Sequence, residues 1–166
     1  ELARRTHMHF DWQTDPPRLH IGSDDVERDV THRLRDPDVT HSVSPLSALG
    51  AVRAVLVEMQ RRIGQRHPRL VTEGRDQGSV VFPEAQVKFY LDASPQVRAR
   101  RRAEQLIAAG KEADQEEILQ QIVARDARDS TRADGPLICP PDAMRIDTTE
   151  LKLEQVVELL ERHVRQ

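Results

Sequence analysis

Apolar positions along the chain change their period several times, and each change predicts an element. Residues 7–12 (His-Met-His-Phe-Asp-Trp) and 18–22 (Arg-Leu-His-Ile-Gly) mix polar and apolar side chains at the period of half-buried strands. Asp15-Pro16-Pro17 supplies the turn between them. Val30 and Thr31 predict a third short strand, and residues 35–43 a short helix or an irregular stretch. The strongest helical signal follows. Ser44 suits an N-cap and Pro45 the first helical position. Leu46, Leu49, Val52, Leu56, Met59 and Ile63 then recur at spacings of three and four, one apolar stripe that Gly64 and Pro68 are expected to end.

Beyond that helix, strands and helices alternate. Residues 70–73 read as a strand ending at Gly74, and residues 86–91 as another. Ser94 and Pro95 open an arginine-rich helix that Gly110 stops. Asp114 with Glu117 makes a capping box for a helix through about Asp129. Residues 143–147 predict a strand and residues 153–164 a closing amphipathic helix, with Val156, Val157, Leu160 and Val164 inward. Such alternation implies a layered α/β domain with a parallel sheet, preceded by a small β-rich piece.

Composition narrows the class. The net charge is −3, unlike the strongly basic balance of general nucleic-acid binders. No apolar run approaches the ~20 residues of a membrane span. The opening residues carry no signal-peptide pattern, and one cysteine, Cys139, leaves no internal disulfide, so a cytoplasmic location is expected. Lysine is confined to Lys88, Lys111 and Lys152, so the positive charge is mostly guanidinium, which suits phosphates and carboxylates.

Several constellations carry candidate chemistry. Gly74-Arg75-Asp76-Gln77-Gly78 follows a predicted strand end, where open α/β sheets bind ligands; a tight turn with a self-paired Arg75 and Asp76 is the bland alternative. Arg125, Arg128, Asp129 and Arg132 share one helical face. They form either a solvated face or an anion site. Arg98, Arg101 and Arg102 lie on the helix after Ser94, as a charged surface or as an arm that closes over phosphates. Ser44 and Arg53 bracket the strong helix. His7, His9 and His20 alternate on neighbouring strands, but no carboxylate or cysteine completes an obvious ligand set, so no metal ligands are assigned. No Gly-x-x-x-x-Gly-Lys-Ser/Thr occurs in the chain.

Taken in order, these segments resemble the bacterial cytidylate kinase family. The resemblance rests on Leu34-Arg35-Asp36-Pro37-Asp38-Val39, Val43-Ser44, Val52-Arg53, the unbroken run Gly74-Arg75-Asp76-Gln77-Gly78-Ser79-Val80-Val81-Phe82-Pro83, Lys88 through Ser94, Arg125 through Arg132, and Asp147 through Leu151. It covers nearly the whole chain and is collinear.

The resemblance implies a P-loop NTPase-like three-layer α/β/α fold with a parallel sheet of strand order 2-3-1-4-5. Residues 1–43 would be a monophosphate-binding insert, and residues 44–166 the kinase core, with a lid over about 95–132. It implies transfer of the ATP γ-phosphoryl group to CMP or dCMP, with magnesium. Ser44, Arg53 and Asp76 match cytosine-binding positions. Arg132 matches a contact to the base region, Asp129 one to the sugar hydroxyls, Arg125 one to sugar and phosphate, and Arg75 one to the acceptor phosphate. Arg98, Arg101 and Arg102 match the lid. In chemical terms, Asp76 accepts from the cytosine amine while Arg53 and Ser44 donate to its acceptors; uracil would turn a carbonyl toward Asp76. In the family the phosphate loop and first strand lie upstream of the segment that Glu1 resembles. The fold is therefore expected to be incomplete here, with three of five strands, and the chain alone is expected not to phosphorylate CMP. The alternative is a CMP-binding module without catalysis. The expected partners are small nucleotides, not nucleic acid or membrane, and the expected state is a monomer.

Overall fold

A computed structural model describes residues 5–23, 26–34, 36–47, 49–67 and 69–165; the side chains of Ser23, Pro37, Thr40, His41 and Ser44 lie outside the description. The chain divides into two compact units, residues 1–70 and 71–166.

In the first unit, β1 (His7–Asp11), β2 (Arg18–Ser23) and β3 (Val26–Asp29) form an antiparallel meander. Its register sets His9 opposite His20, His20 opposite Asp29, and Gly22 opposite Glu27. Side chains alternate across a strand. One face therefore carries His7, His9, His20, Glu27 and Asp29, and the other Met8, Phe10, Leu19 and Ile21. Leu19 is buried on that second face, beside Ile21, Val30 and Val39.

The third strand is not at Val30-Thr31. Thr31–Arg33 is a short 3₁₀ turn. It is fixed because the Thr31 hydroxyl accepts the Leu19 N–H at 2.7 Å and Asp29 Oδ1 accepts the Thr31 N–H at 2.9 Å. Local side-chain bonds of this kind compete with strand pairing.

Two helices follow, α1 (Pro37–Ser47) and α2 (Gly50–Arg66). The predicted boundary at Ser44 is incorrect. Ser44 and Pro45 lie inside α1, in its last turns, and α2 starts from Leu49 without a side-chain cap. An interior proline removes one i→i−4 bond and crowds the carbonyl four residues before it, and this helix ends two residues after Pro45, at Ser47, before the chain restarts at Gly50. Gly64 lies within α2, which continues to Arg66. The apolar stripe is shallow: Leu46, Leu49 and Leu56 are exposed.

In the second unit, β4 (Phe89–Asp92) and β5 (Met144–Asp147) pair in parallel. Residues 70–73 form no strand; Val71 is 99% exposed, and a strand is defined by a partner that this segment lacks among the described residues. Instead, Asp76 leads into a single π turn, Gln77–Val81, anchored by Val81, which is 2% exposed.

From β4 the chain enters α3 (Pro95–Ala108), capped by Ser94, whose hydroxyl accepts the Val97 N–H. Gly110, at φ 72°, ends that segment in the left-handed region that glycine adopts without strain. Asp114 caps α4 (Gln115–Thr131) by accepting the N–H groups of Glu116 and Glu117. Ala99 and Ala103 of α3 pack on Ile118 of α4, with Leu106, Leu119 and Ile122 around them. Small residues on α3 let the helices approach closely, so this hairpin forms its own core. α5 (Leu153–Val164) closes the chain. Its inward face differs from the prediction: Val156, Leu159, Leu160 and His163 are half-buried, while Val157 and Val164 are exposed. No described helix is long and apolar enough to cross a membrane.

Candidate functional site: guanidinium groups around Asp129

The turn before the π segment and the last turn of α4 meet at one carboxylate. Arg75 Nε lies 3.1 Å from Asp129 Oδ2, Arg125 Nε 3.7 Å from the same oxygen, and Arg132 Nη1 3.7 Å from Oδ1. Helical spacing explains two of these, since Arg125 and Arg132 lie four and three residues from Asp129. The third is tertiary: the turn at Gly74-Arg75 brings Arg75 across. Asp129 is held in place because its carbonyl accepts the Leu137 N–H at 2.8 Å, and Arg132 because its Nε donates to the Gly135 carbonyl at 2.5 Å.

This cluster is not saturated. Asp129 Oδ2 and Arg132 Nη2 are buried without a hydrogen-bond partner, although cations stand at ion-pair distance from the carboxylate. Buried polar atoms are almost always bonded, so each exception needs a reason. One carboxylate against three guanidiniums also leaves excess positive charge around Asp129. The arrangement therefore suits a ligand that brings anionic oxygens to the arginines and a hydroxyl to the carboxylate. It does not suit magnesium, which requires a largely oxygen shell of low positive charge. No step is assigned to a metal at these residues.

Asp76, one residue beyond Arg75, is half-buried, and its carbonyl accepts the N–H groups of Val80 and Val81. A π turn at this point is a costly local geometry that recurs at functional sites. Packing is tight at Gly78: a Cβ would lie 3.3 Å from both Lys88 Cδ and Pro140 Cγ, so those side chains would have to shift to admit one.

The lid arginines divide. Arg98 forms a two-pronged pair with Asp126 of α4, at 3.1 and 2.6 Å, and its Nε donates to the Ala93 carbonyl at 2.9 Å. Arg101 donates to the Thr148 hydroxyl and to the carbonyls of Thr148 and Leu151, at 3.2, 2.6 and 3.0 Å. Arg102 is solvent-facing, with one marginal contact to Gln105 at 3.5 Å. The three do not converge. Beyond the carboxyl ends of β4 and β5 a cleft is lined by Asp92, Ser94, Arg98, Asp147 and Thr149, and Thr149 holds the Asp147 carboxyl below its ordinary value through hydrogen bonds from its hydroxyl and N–H.

Ser44 and Arg53 belong to the first unit. Arg53 is half-buried in the first turn of α2, and the side chain of Ser44 lies outside the described residues.

The cytidylate kinase family profile matches residues 1–166. The chain belongs to the cytidylate kinase family. It is 46% identical over 136 residues to a cytidylate kinase of Thermodesulfovibrio yellowstonii, which covers 82% of this chain and 61% of that protein. To a cytidylate kinase of Carboxydothermus hydrogenoformans it is 48% identical over 134 residues, 81% of this chain and 60% of that protein. To one of Mycobacterium avium it is 41% identical over 164 residues, 99% of this chain and 70% of that protein. The chain thus spans about three fifths of the length of the first two relatives. The mixed α/β architecture with a parallel strand pair is consistent with a nucleoside monophosphate kinase fold.

The histidines of the meander have a carboxylate neighbour that the sequence analysis did not find. Glu27 of β3 reaches His9 of β1, Oε1 to Nδ1 2.8 Å, beside His20, so a carboxylate does join two of the histidines. His7 does not take part. The signal was hidden because the third strand was expected at Val30-Thr31; with β3 at Val26–Asp29, Glu27 falls on the histidine face.

Proposed function

We propose that this chain is the acceptor-binding and lid portion of a cytidylate kinase, which moves the γ-phosphoryl group of ATP, with magnesium, onto CMP or dCMP to give CDP or dCDP. The observation that carries this reading is the unsaturated cluster at Asp129. Arg75 and Arg125 stand on one side of the carboxylate for an acceptor phosphate, Asp129 Oδ2 has spare accepting capacity for a sugar hydroxyl, and Arg132 Nη2 has a proton to donate. Ser44, Arg53 and Asp76 are assigned to cytosine, with Asp76 accepting from the exocyclic amine. Phosphoryl transfer needs positioning and charge neutralisation more than covalent chemistry, which is the capability a guanidinium-rich site offers. Of the lid arginines, Arg102 is the one free to turn toward a transferring phosphate, while Arg98 and Arg101 stiffen the base of the lid. This reading puts the protein in the cytoplasm as a monomer acting on small nucleotides. Calorimetric titration with CMP, UMP and AMP tests it. CMP is expected to bind at least about tenfold more tightly than UMP, because uracil sets a carbonyl against Asp76. Equal binding of CMP and UMP would remove the cytosine assignment, and no binding of any of the three would remove the acceptor site.

A further inference from the structure

The histidine face of the meander is a second chemical feature, independent of the nucleotide reading. His9, His20 and Glu27 each offer a ligand atom, and these atoms lie within 4.8 Å of one another. Each strand contributes one of them. His9 and His20 are direct cross-strand partners, with rings stacked at 5.1 Å and only 8° apart. Glu27 comes from the far strand and crosses above Gly22 of β2. A Cβ at position 22 would lie 2.8 Å from the Val26 carbonyl oxygen, so the two strands approach closely there. Asp29 lies opposite His20 in the register, where a carboxylate can orient the ring of a ligating histidine.

An exposed ion pair between His9 and Glu27 accounts for two of the three residues and contributes little to stability. It does not use the second imidazole, which the register stacks beside the first.

We propose that His9, His20 and Glu27 form a divalent transition-metal site, with zinc as the preferred ion, that ties the three strands of the meander together. Two imidazole nitrogens and one carboxylate oxygen are a recurrent zinc donor set that leaves a fourth position for water. Tetrahedral zinc spaces its ligand atoms about 3.3 Å apart, given bonds of about 2.0–2.1 Å. Rotation of the exposed His9 and Glu27 side chains closes the present separation. Magnesium and calcium are disfavoured, because both prefer oxygen shells. A clasp across strands of five, six and four residues adds to a face pair whose opposite side buries little more than Leu19.

Tag-free 166-residue chain is titrated with zinc chloride by calorimetry, and the complex is measured by X-ray absorption. The expected result is one zinc per chain, with two imidazoles and an oxygen in its shell. His9→Gln, His20→Gln and Glu27→Gln should each weaken binding by about tenfold or more, while His7→Gln leaves it unchanged. The imidazole count is read on the unsubstituted protein, so it holds whether or not a variant folds. No zinc uptake, a shell with fewer than two imidazoles, or unaltered affinity in the three variants overturns the proposal.

Discussion

Two sets of arginines on the same pair of helices and the turn beside them meet opposite fates. Arg98 and Arg101 spend their donors on fixed partners: a carboxylate of the neighbouring helix and the carbonyls that follow β5. Arg75, Arg125 and Arg132 crowd a single carboxylate, and buried donor and acceptor capacity remains unused. Sequence runs of arginine look alike in both places. On the proposed reading, what separates a structural arginine from a ligand-binding one is whether the guanidinium is satisfied inside the chain.

The largest expected effect lies on the satisfied side. Arg101→Ala deletes three bonds and leaves the Thr148 carbonyl with the Leu151 N–H alone, in a region where Thr148 itself is 7% exposed. Unfolding in urea should show a loss of about 2–3 kcal/mol, the range for bonds made by a charged donor to part-buried acceptors. CMP binding at a temperature where the variant is folded should hardly change. A variant as stable as the parent would break the contrast, because Arg101 would then be available for ligand.

Arg75→Ala should behave the other way. Arg75 is 40% exposed and makes an ion pair without a well-aligned bond, so stability should shift by no more than about 0.5 kcal/mol. Affinity for CMP should fall by about tenfold or more, the worth of one charge-assisted contact to phosphate. Unaltered CMP affinity, measured calorimetrically, would leave Arg75 as a partner of Asp129 and nothing more.

How much of this could be read in advance follows from the range of each signal. Caps at Ser94 and Asp114, the stop at Gly110 and the pairing of β1 with β2 rest on neighbouring residues, and the residues that carry them were legible. The third strand, the break between α1 and α2, the absence of a strand at 70–73 and the exposed Val157 and Val164 depend on distant partners, which a local period does not encode. The site divides in the same way. Arg125, Asp129 and Arg132 follow from helical spacing, and Arg75 from its motif, but the saturation of Arg98 by Asp126 required the packing of α3 on α4. Glu27 required a strand register.

A smaller effect tests whether α4 carries both kinds of arginine partner as one rigid rod. Asp126, which locks Arg98, and Asp129, which gathers the open set, lie less than one turn apart. Removing the cap by Asp114→Ala should cost about 1 kcal/mol of stability, with most of it restored in Asp114→Asn. CMP affinity should stay put, since the cap lies more than three turns from Asp129. Loss of affinity in step with stability would mean that fraying at the start of α4 reaches the cluster, and the two sets would no longer be separable.

The smallest effect concerns the floor beneath the Gly74–Gly78 turn. Lys88, with its side chain 7% exposed, packs its stem under Gly78 and donates from Nζ to the Pro83 carbonyl at 2.5 Å and to Asp142. The hydrogen bond from Lys88 holds the Asp142 carboxyl below its ordinary value of 3.8. A carboxyl whose folded value is depressed binds its proton more readily in the unfolded chain. Its contribution is therefore complete above 3.8 and is lost as the pH falls below that value toward the folded one. Unfolding curves recorded from neutral pH down through this window should show stability declining with acid. Asp142→Asn should be less stable at neutral pH and should lose part of that decline. An Asn variant with the parent's full acid slope would assign that slope to other carboxylates and detach Lys88 from the site above it.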